Sequence, residues 1–136
     1  DELADGAQLI IDYKTGPSGI NTWAEPIQDP QLPLYCIHYD TTNTPVAALA
    51  FAEIIPGKVN LKGVIDKTHS DMCTADITPI DDNKSLFSWA QQIEQWRTSI
   101  HCLAREYTEG LAARQPRHAK ACLTCDLQPL CRVHES

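Results

Sequence analysis

The sequence predicts an α/β fold in which a mixed β-sheet is flanked by helices. Three observations lead there. The apolar, β-branched run Leu9-Ile10-Ile11 follows the turn pair Asp5-Gly6 and reads as a strand over residues 7 to 14. Residues 46 to 55 and 58 to 65, split by Pro56-Gly57, read as a second hairpin. From Ser85 to about Leu111 the apolar residues recur three or four apart, the period of an amphipathic helix.

Length and composition bound the alternatives. With 136 residues and 43% hydrophobic content, the chain is one domain, long enough to bury most of the apolar surface it exposes when unfolded. Such a composition argues against disorder. Six cysteines fall below the density of a disulfide scaffold, and neither a signal peptide nor an apolar run of membrane length occurs. A reducing cytoplasm is the expected setting. The 11 Lys+Arg against 18 Asp+Glu give a net charge of −7, which argues against a free-standing module that coats nucleic acid. The chain opens on Asp1 rather than Met, and the expectation is the C-terminal part of a longer domain. On that reading residues 1–136 form a single partial domain, with the sheet and site in 1–65, a long packing helix in 85–112 and a cysteine segment in 118–134.

Each element has its own reason. A two-residue turn at Asp5-Gly6 pairs Ala4 with Ala7, Leu3 with Gln8, Glu2 with Leu9 and Asp1 with Ile10. Residues 15 to 30 hold Gly16-Pro17-Ser18-Gly19, Pro26 and Pro30, and form a loop. A short helix follows, with Asp29 as N-cap, Pro30 at its first position and an end near Tyr39. Pro33 is tolerated there because N–H groups of the first turn lack helical partners. The strand 46 to 55 is almost wholly apolar, as a strand covered on both faces should be. Residues 66 to 84 are turn-rich and aspartate-rich and read as an exposed excursion. In the long helix Ser85 is the N-cap, and Leu86, Trp89, Ala90, Ile93, Trp96, Ile100, Leu103, Ala104, Tyr107 and Leu111 form one core-facing stripe. Its tryptophans are packing residues rather than base-stacking ones. Cys36 and Cys102 read as small core residues, and His38, His69 and His101 as ordinary surface or boundary side chains.

The chemistry concentrates at Asp12-Tyr13-Lys14. Side chains alternate along a strand, so Asp12 and Lys14 share one face at its end. On spacing alone an exposed salt bridge is the plainer reading. The same triplet nevertheless contains the parts for phosphodiester hydrolysis: a carboxylate for Mg²⁺, an intervening carbonyl as second oxygen ligand, and a lysine to orient and polarise water.

Taken in order, Asp12-Tyr13-Lys14-Thr15-Gly16, Gln31-Leu32-Pro33-Leu34-Tyr35 and Cys122-x2-Cys125-x5-Cys131 resemble the motifs of PD-(D/E)XK nucleases of the RecB and AddB type. The likeness is nearest to bacterial proteins described as probable DNA repair exonucleases. The resemblance implies a restriction-endonuclease-like core, truncated at its N-terminus, with residues 7 to 14, 46 to 55 and 58 to 65 in the sheet. It implies Mg²⁺ or Mn²⁺ as cofactor, DNA as substrate and a helicase subunit or domain as partner. It makes Asp12 and Lys14 catalytic and assigns Asp12 and the Tyr13 carbonyl to the metal. Gln31 and Tyr35, which share a helical face at i and i+4, fall to phosphate or metal-bound water. The family also uses a carboxylate on the preceding strand. In the register above, the position opposite Asp12 lies two residues before Asp1, Asp1 shares the face of Asp12 one pair away, and Glu2 points the other way.

The same resemblance makes Cys122, Cys125 and Cys131 three of the four thiolates of a [4Fe–4S] cluster in the full-length protein. Zinc held with His118 or His134 is an alternative, and unligated thiols are another. Two functions result. One is the C-terminal part of a Mg²⁺-dependent DNA exonuclease of repair and recombination. The other is a non-catalytic nuclease-fold module that binds DNA ends or a helicase partner and carries a structural metal site. A truncated sheet exposes strand edges, so dimerisation of such a fragment is expected.

Overall fold

A computed structural model describes residues 1–72, 77–80, 88–113, 116, 119–123 and 125–131. The architecture is α/β, as expected. Four strands, β1 (Gln8–Lys14), β2 (Val46–Ile55), β3 (Lys58–Asp66) and β4 (Ile77–Ile80), lie side by side in that order. β1 runs parallel to β2, β2 antiparallel to β3, and β3 parallel to β4. Parallel neighbours cannot be joined by a tight turn, so the chain crosses between β1 and β2 through helix α1 (Gln31–Tyr39). Helix α2 spans Trp89–Thr108 and the short α3 spans Gln128–Cys131. The chain divides into two compact units, Asp1–His101 and Cys102–Ser136.

In the first unit β2 is the central strand, and every residue from Val46 to Glu53 is buried. One face of the sheet packs Leu49, Phe51 and Val64 against Trp23 and Ile27 of the loop, Leu32 and Cys36 of α1, and Trp89, Ile93 and Trp96 of α2. The other face gathers Leu9, Ala48, Ala50, Ile65 and Ile77. Gly63 of β3 lies so close to β2 that a Cβ there would stand 2.1 Å from the Leu49 carbonyl oxygen. The tryptophans of α2 are packing residues, and each also satisfies its polar atom. Trp89 Nε1 donates to the Val46 carbonyl at 2.7 Å and Trp96 Nε1 to the Trp23 carbonyl at 3.0 Å. Trp96 thereby ties α2 to the loop that follows β1.

Several expectations need correction. The N-terminal turn has three residues, not two: Leu3 N–H donates to the Ala7 carbonyl, Leu9 N–H to the Asp1 carbonyl, and Glu2 bridges to Gln8. Gly6, at φ +89, supplies the left-handed position that such a three-residue loop uses. The register slips by one, so Asp1 opposes Leu9 and falls on the face away from Asp12, while Glu2 moves to the Asp12 side at Gln8. Asp29 is not the N-cap of α1. Pro30 occupies that position with no side-chain cap, and Asp29 Oδ1 instead accepts the Gln31 N–H at 3.3 Å.

The polar excursion contains the fourth strand, β4, whose Pro79 is tolerated because the strand lies at the sheet edge. α2 ends at Thr108, where Gly110 turns the chain at φ +69, so Leu111 lies outside the helix. Of the expected stripe, Trp89, Ile93 and Trp96 are buried and Ile100 partly so, whereas Ala90, Leu103, Ala104, Tyr107 and Leu111 are exposed. Cys36 is a core residue, as expected, and its burial pushes the thiol up to about 12. Cys102 is only half-buried, its Sγ set against Glu106. The readings for Ser85, Leu86, His118 and His134 lie outside the described residues.

Replacing Trp96 by Phe keeps an aromatic ring but removes the pyrrole part of the indole and leaves the Trp23 carbonyl without its donor. The expected loss is about 1–2 kcal/mol of unfolding free energy, and about 3–5 kcal/mol for Trp96→Ala. Urea denaturation followed by circular dichroism measures both.

Candidate active site

Asp12 and Lys14 project from β1 on the face that carries Ile10, which packs with the helix-covered core. They sit at the strand's C-terminal end, next to the loop that leads into α1. Lys14 Nζ lies 2.8 Å from Asp12 Oδ2. Apart from this ion pair, the buried oxygen has no hydrogen-bond partner among the described residues. The ammonium also lies 5.3 Å over the Phe51 ring and 3.7 Å from Asp29 Oδ2. The Asp12 carboxylate, reinforced by Asp29, holds the Lys14 ammonium above its ordinary pKa. Tyr13 points to the opposite face and is exposed, which leaves its backbone as the part nearest this chemistry.

Gln31 opens α1 directly after Asp29 and Pro30. Tyr35, one helical turn further, is exposed, with Leu32 and Cys36 turned inward beside it. No hydrogen bond joins Gln31 or Tyr35 side chains to Asp12 or Lys14 among the described residues. The structure therefore brings together Asp12, Lys14 and Asp29 before the start of α1, while Tyr35 is exposed.

Two participants have no place in the sequence-based set. Asp29, read there as a helix cap, is the second carboxylate on Lys14. Glu53 is the other. It pairs with Lys14 in the parallel β1–β2 register and is only 2% exposed. Its carboxylate accepts the Ser18 N–H at 2.7 Å, the Ser18 hydroxyl at 2.9 Å and the Lys62 ammonium at 3.0 Å. Lys62 and Ser18 together hold its carboxyl down at about 2. Through Ser18, Glu53 anchors the loop that carries Asp29 back toward β1. A signal for it existed: a lone acid in an otherwise apolar, fully buried strand must find partners.

The cysteine segment lies in the second unit. Cys122 and Cys125 flank a turn in which Cys125 N–H donates to the Cys122 carbonyl at 3.4 Å, and Cys131 ends α3. Gln128 Nε2 donates to that same Cys122 carbonyl. Among the described residues no group of three His, Cys, Asp or Glu side chains is arranged to hold a metal ion. None of the described helices is long and apolar enough to cross a membrane.

A family model describing the PD-(D/E)XK nuclease superfamily matches residues 1–132. No curated protein and no solved structure matches the chain.

Because the Glu53 carboxyl titrates near 2 in the folded chain against 4.5 ordinarily, its stabilising effect is complete above about pH 4.5. That contribution is lost as pH falls through about 2. Glu53→Gln is expected to flatten the acid limb of a stability profile over that window, as read by thermal unfolding at stepped pH.

Proposed function

Because the chain belongs to the PD-(D/E)XK nuclease superfamily, we propose that it hydrolyses phosphodiester bonds of DNA with a divalent cation, using Asp12 and Lys14. The observation that carries this is the pair itself: a carboxylate and an ammonium 2.8 Å apart at the end of a strand, on the face where the next helix begins. An exposed surface ion pair has no reason to sit half-buried beside a phenyl ring and a second carboxylate.

The residues present fit Mg²⁺. That ion takes oxygen ligands, commonly one or two carboxylates with water and substrate phosphate completing its shell. Asp12 Oδ2 is a buried oxygen with no hydrogen-bond partner among the described residues, its charged neighbour being the Lys14 ammonium at 2.8 Å, and the Tyr13 carbonyl would supply a second oxygen. When bound, the ion supplies charge at the scissile phosphate and acidifies a water. Lys14 would orient the attacking water and offer its ammonium to the phosphate, as a compact point charge with three donors. Gln31, at the first turn of α1 directly after Asp29, offers its side-chain amide to phosphate or water. The exposed Tyr35 hydroxyl is open to the backbone of an incoming strand.

The finer reading is an exonuclease of the RecB and AddB kind, acting in DNA repair and recombination with a helicase partner. It is supported by the order of the Asp12-x-Lys14, Gln31-x3-Tyr35 and cysteine motifs. The spacing of Cys122, Cys125 and Cys131 is what supports a [4Fe–4S] or zinc role for that segment.

Lys14→Gln and Asp12→Asn are each expected to lower Mg²⁺-dependent cleavage of linear DNA by about 100-fold or more, with circular dichroism unchanged. Unchanged cleavage in either variant contradicts the assignment. Wild-type protein that binds DNA ends but does not cut them favours the non-catalytic module.

A further inference from the structure

Lys14 stands between two carboxylates, and the reading above uses only one of them. Its Nζ is 2.8 Å from Asp12 Oδ2 and 3.7 Å from Asp29 Oδ2. The other oxygen of Asp29 is committed, because Oδ1 accepts the Gln31 N–H at 3.3 Å. That bond fixes the carboxylate at the foot of α1 and leaves Oδ2 facing the ammonium. All three side chains are partly withdrawn from water, with exposures of 20% for Asp12, 32% for Lys14 and 31% for Asp29. Charges in such a place are weakly screened.

The ammonium occupies the oxygen that a cation at Asp12 needs. Two positive charges on one oxygen in a half-buried site repel strongly, so Lys14 must leave Asp12 Oδ2 when a divalent cation arrives. It must also stay near, or its role at the phosphate is lost. Asp29 meets both demands. A move of roughly 1 Å along a four-carbon stem brings Nζ from its present distance to that of a charge-assisted hydrogen bond.

We propose that Asp29 is a positioning residue that receives the Lys14 ammonium from Asp12 when a divalent cation binds there. The proposal rests on the nuclease reading of Asp12 and deepens it. Without Asp29 the ammonium has only Asp12 to pair with, and it competes with the cation for that carboxylate. The dependence on Lys14 separates this role from direct ligation: a ligand matters whether or not the lysine is present, whereas an acceptor for Lys14 matters only with it.

Calorimetric titration of Mg²⁺, and of Mn²⁺ alone as a second probe, into the whole chain tests this without reference to activity. Asp29→Asn is expected to weaken binding about tenfold, within the range for partners that orient metal ligands. Asp29→Glu, which keeps an acceptor, restores most of the affinity. Lys14→Gln tightens binding, and in that background Asp29→Asn has no further effect, a coupling that a double-mutant cycle isolates. If Asp29→Asn leaves affinity unchanged in the presence of Lys14, the proposal is overturned. Equal weakening with and without Lys14 also overturns it, and makes Asp29 a ligand. Asp12→Asn tests the underlying reading separately: if that variant binds Mg²⁺ like the wild type, the site itself is misplaced, whatever Asp29 does.

Discussion

The parallel pairing of β1 with β2 is the constraint on which the rest of the structure depends. A parallel neighbour cannot be reached by a tight turn, so the chain leaves β1 at Lys14, crosses the sheet and returns at Val46. That crossover places the start of α1 next to the end of the strand carrying Asp12 and Lys14. It also buries β2 on both faces, which explains why its sequence is apolar from Val46 to Ala52. The close approach at Gly63 on the far side of β2 is part of the same packing.

A charge in such a strand has to be compensated, and Glu53 is. Its three hydrogen bonds come from Ser18 in the loop after β1 and from Lys62 of β3, so one carboxylate links the exit of β1 to the sheet hairpin. Trp96 holds the same loop through the Trp23 carbonyl. The segment between Lys14 and Gln31 is rich in glycine and proline, yet it is pinned at Ser18 and Trp23 before it delivers Asp29 to Lys14. The geometry of the site is thus set by buried contacts more than by the motif residues themselves.

Much of this was legible in the residues. The strands around Asp12 and over 46 to 65 follow from β-branched runs and the Pro56-Gly57 break, and the Trp89, Ile93, Trp96 stripe from helical spacing. β4 was not legible, because a four-residue edge strand containing Pro79 carries little periodicity and lies among aspartates. The N-terminal register was off by one, because Asp5-Gly6 serves equally in a two-residue or a three-residue loop and only the backbone pairing decides. The partners of Lys14 show the same division. Asp12 follows from strand alternation, whereas Asp29 and Glu53 are brought near by the crossover and the parallel register, which local sequence does not state. Tyr35 shares a helical face with Gln31, but that spacing says nothing of how far the face stands from β1.

The central claim is that Asp12 and Lys14 form a cation-dependent hydrolytic site. Anomalous diffraction from crystals soaked in Mn²⁺ addresses it most directly. The expected result is a peak beside Asp12 Oδ2, with the Lys14 ammonium turned to Asp29. A map with no peak at Asp12 contradicts the site, whereas a bound ion with Lys14 still paired to Asp12 contradicts only the role of Asp29.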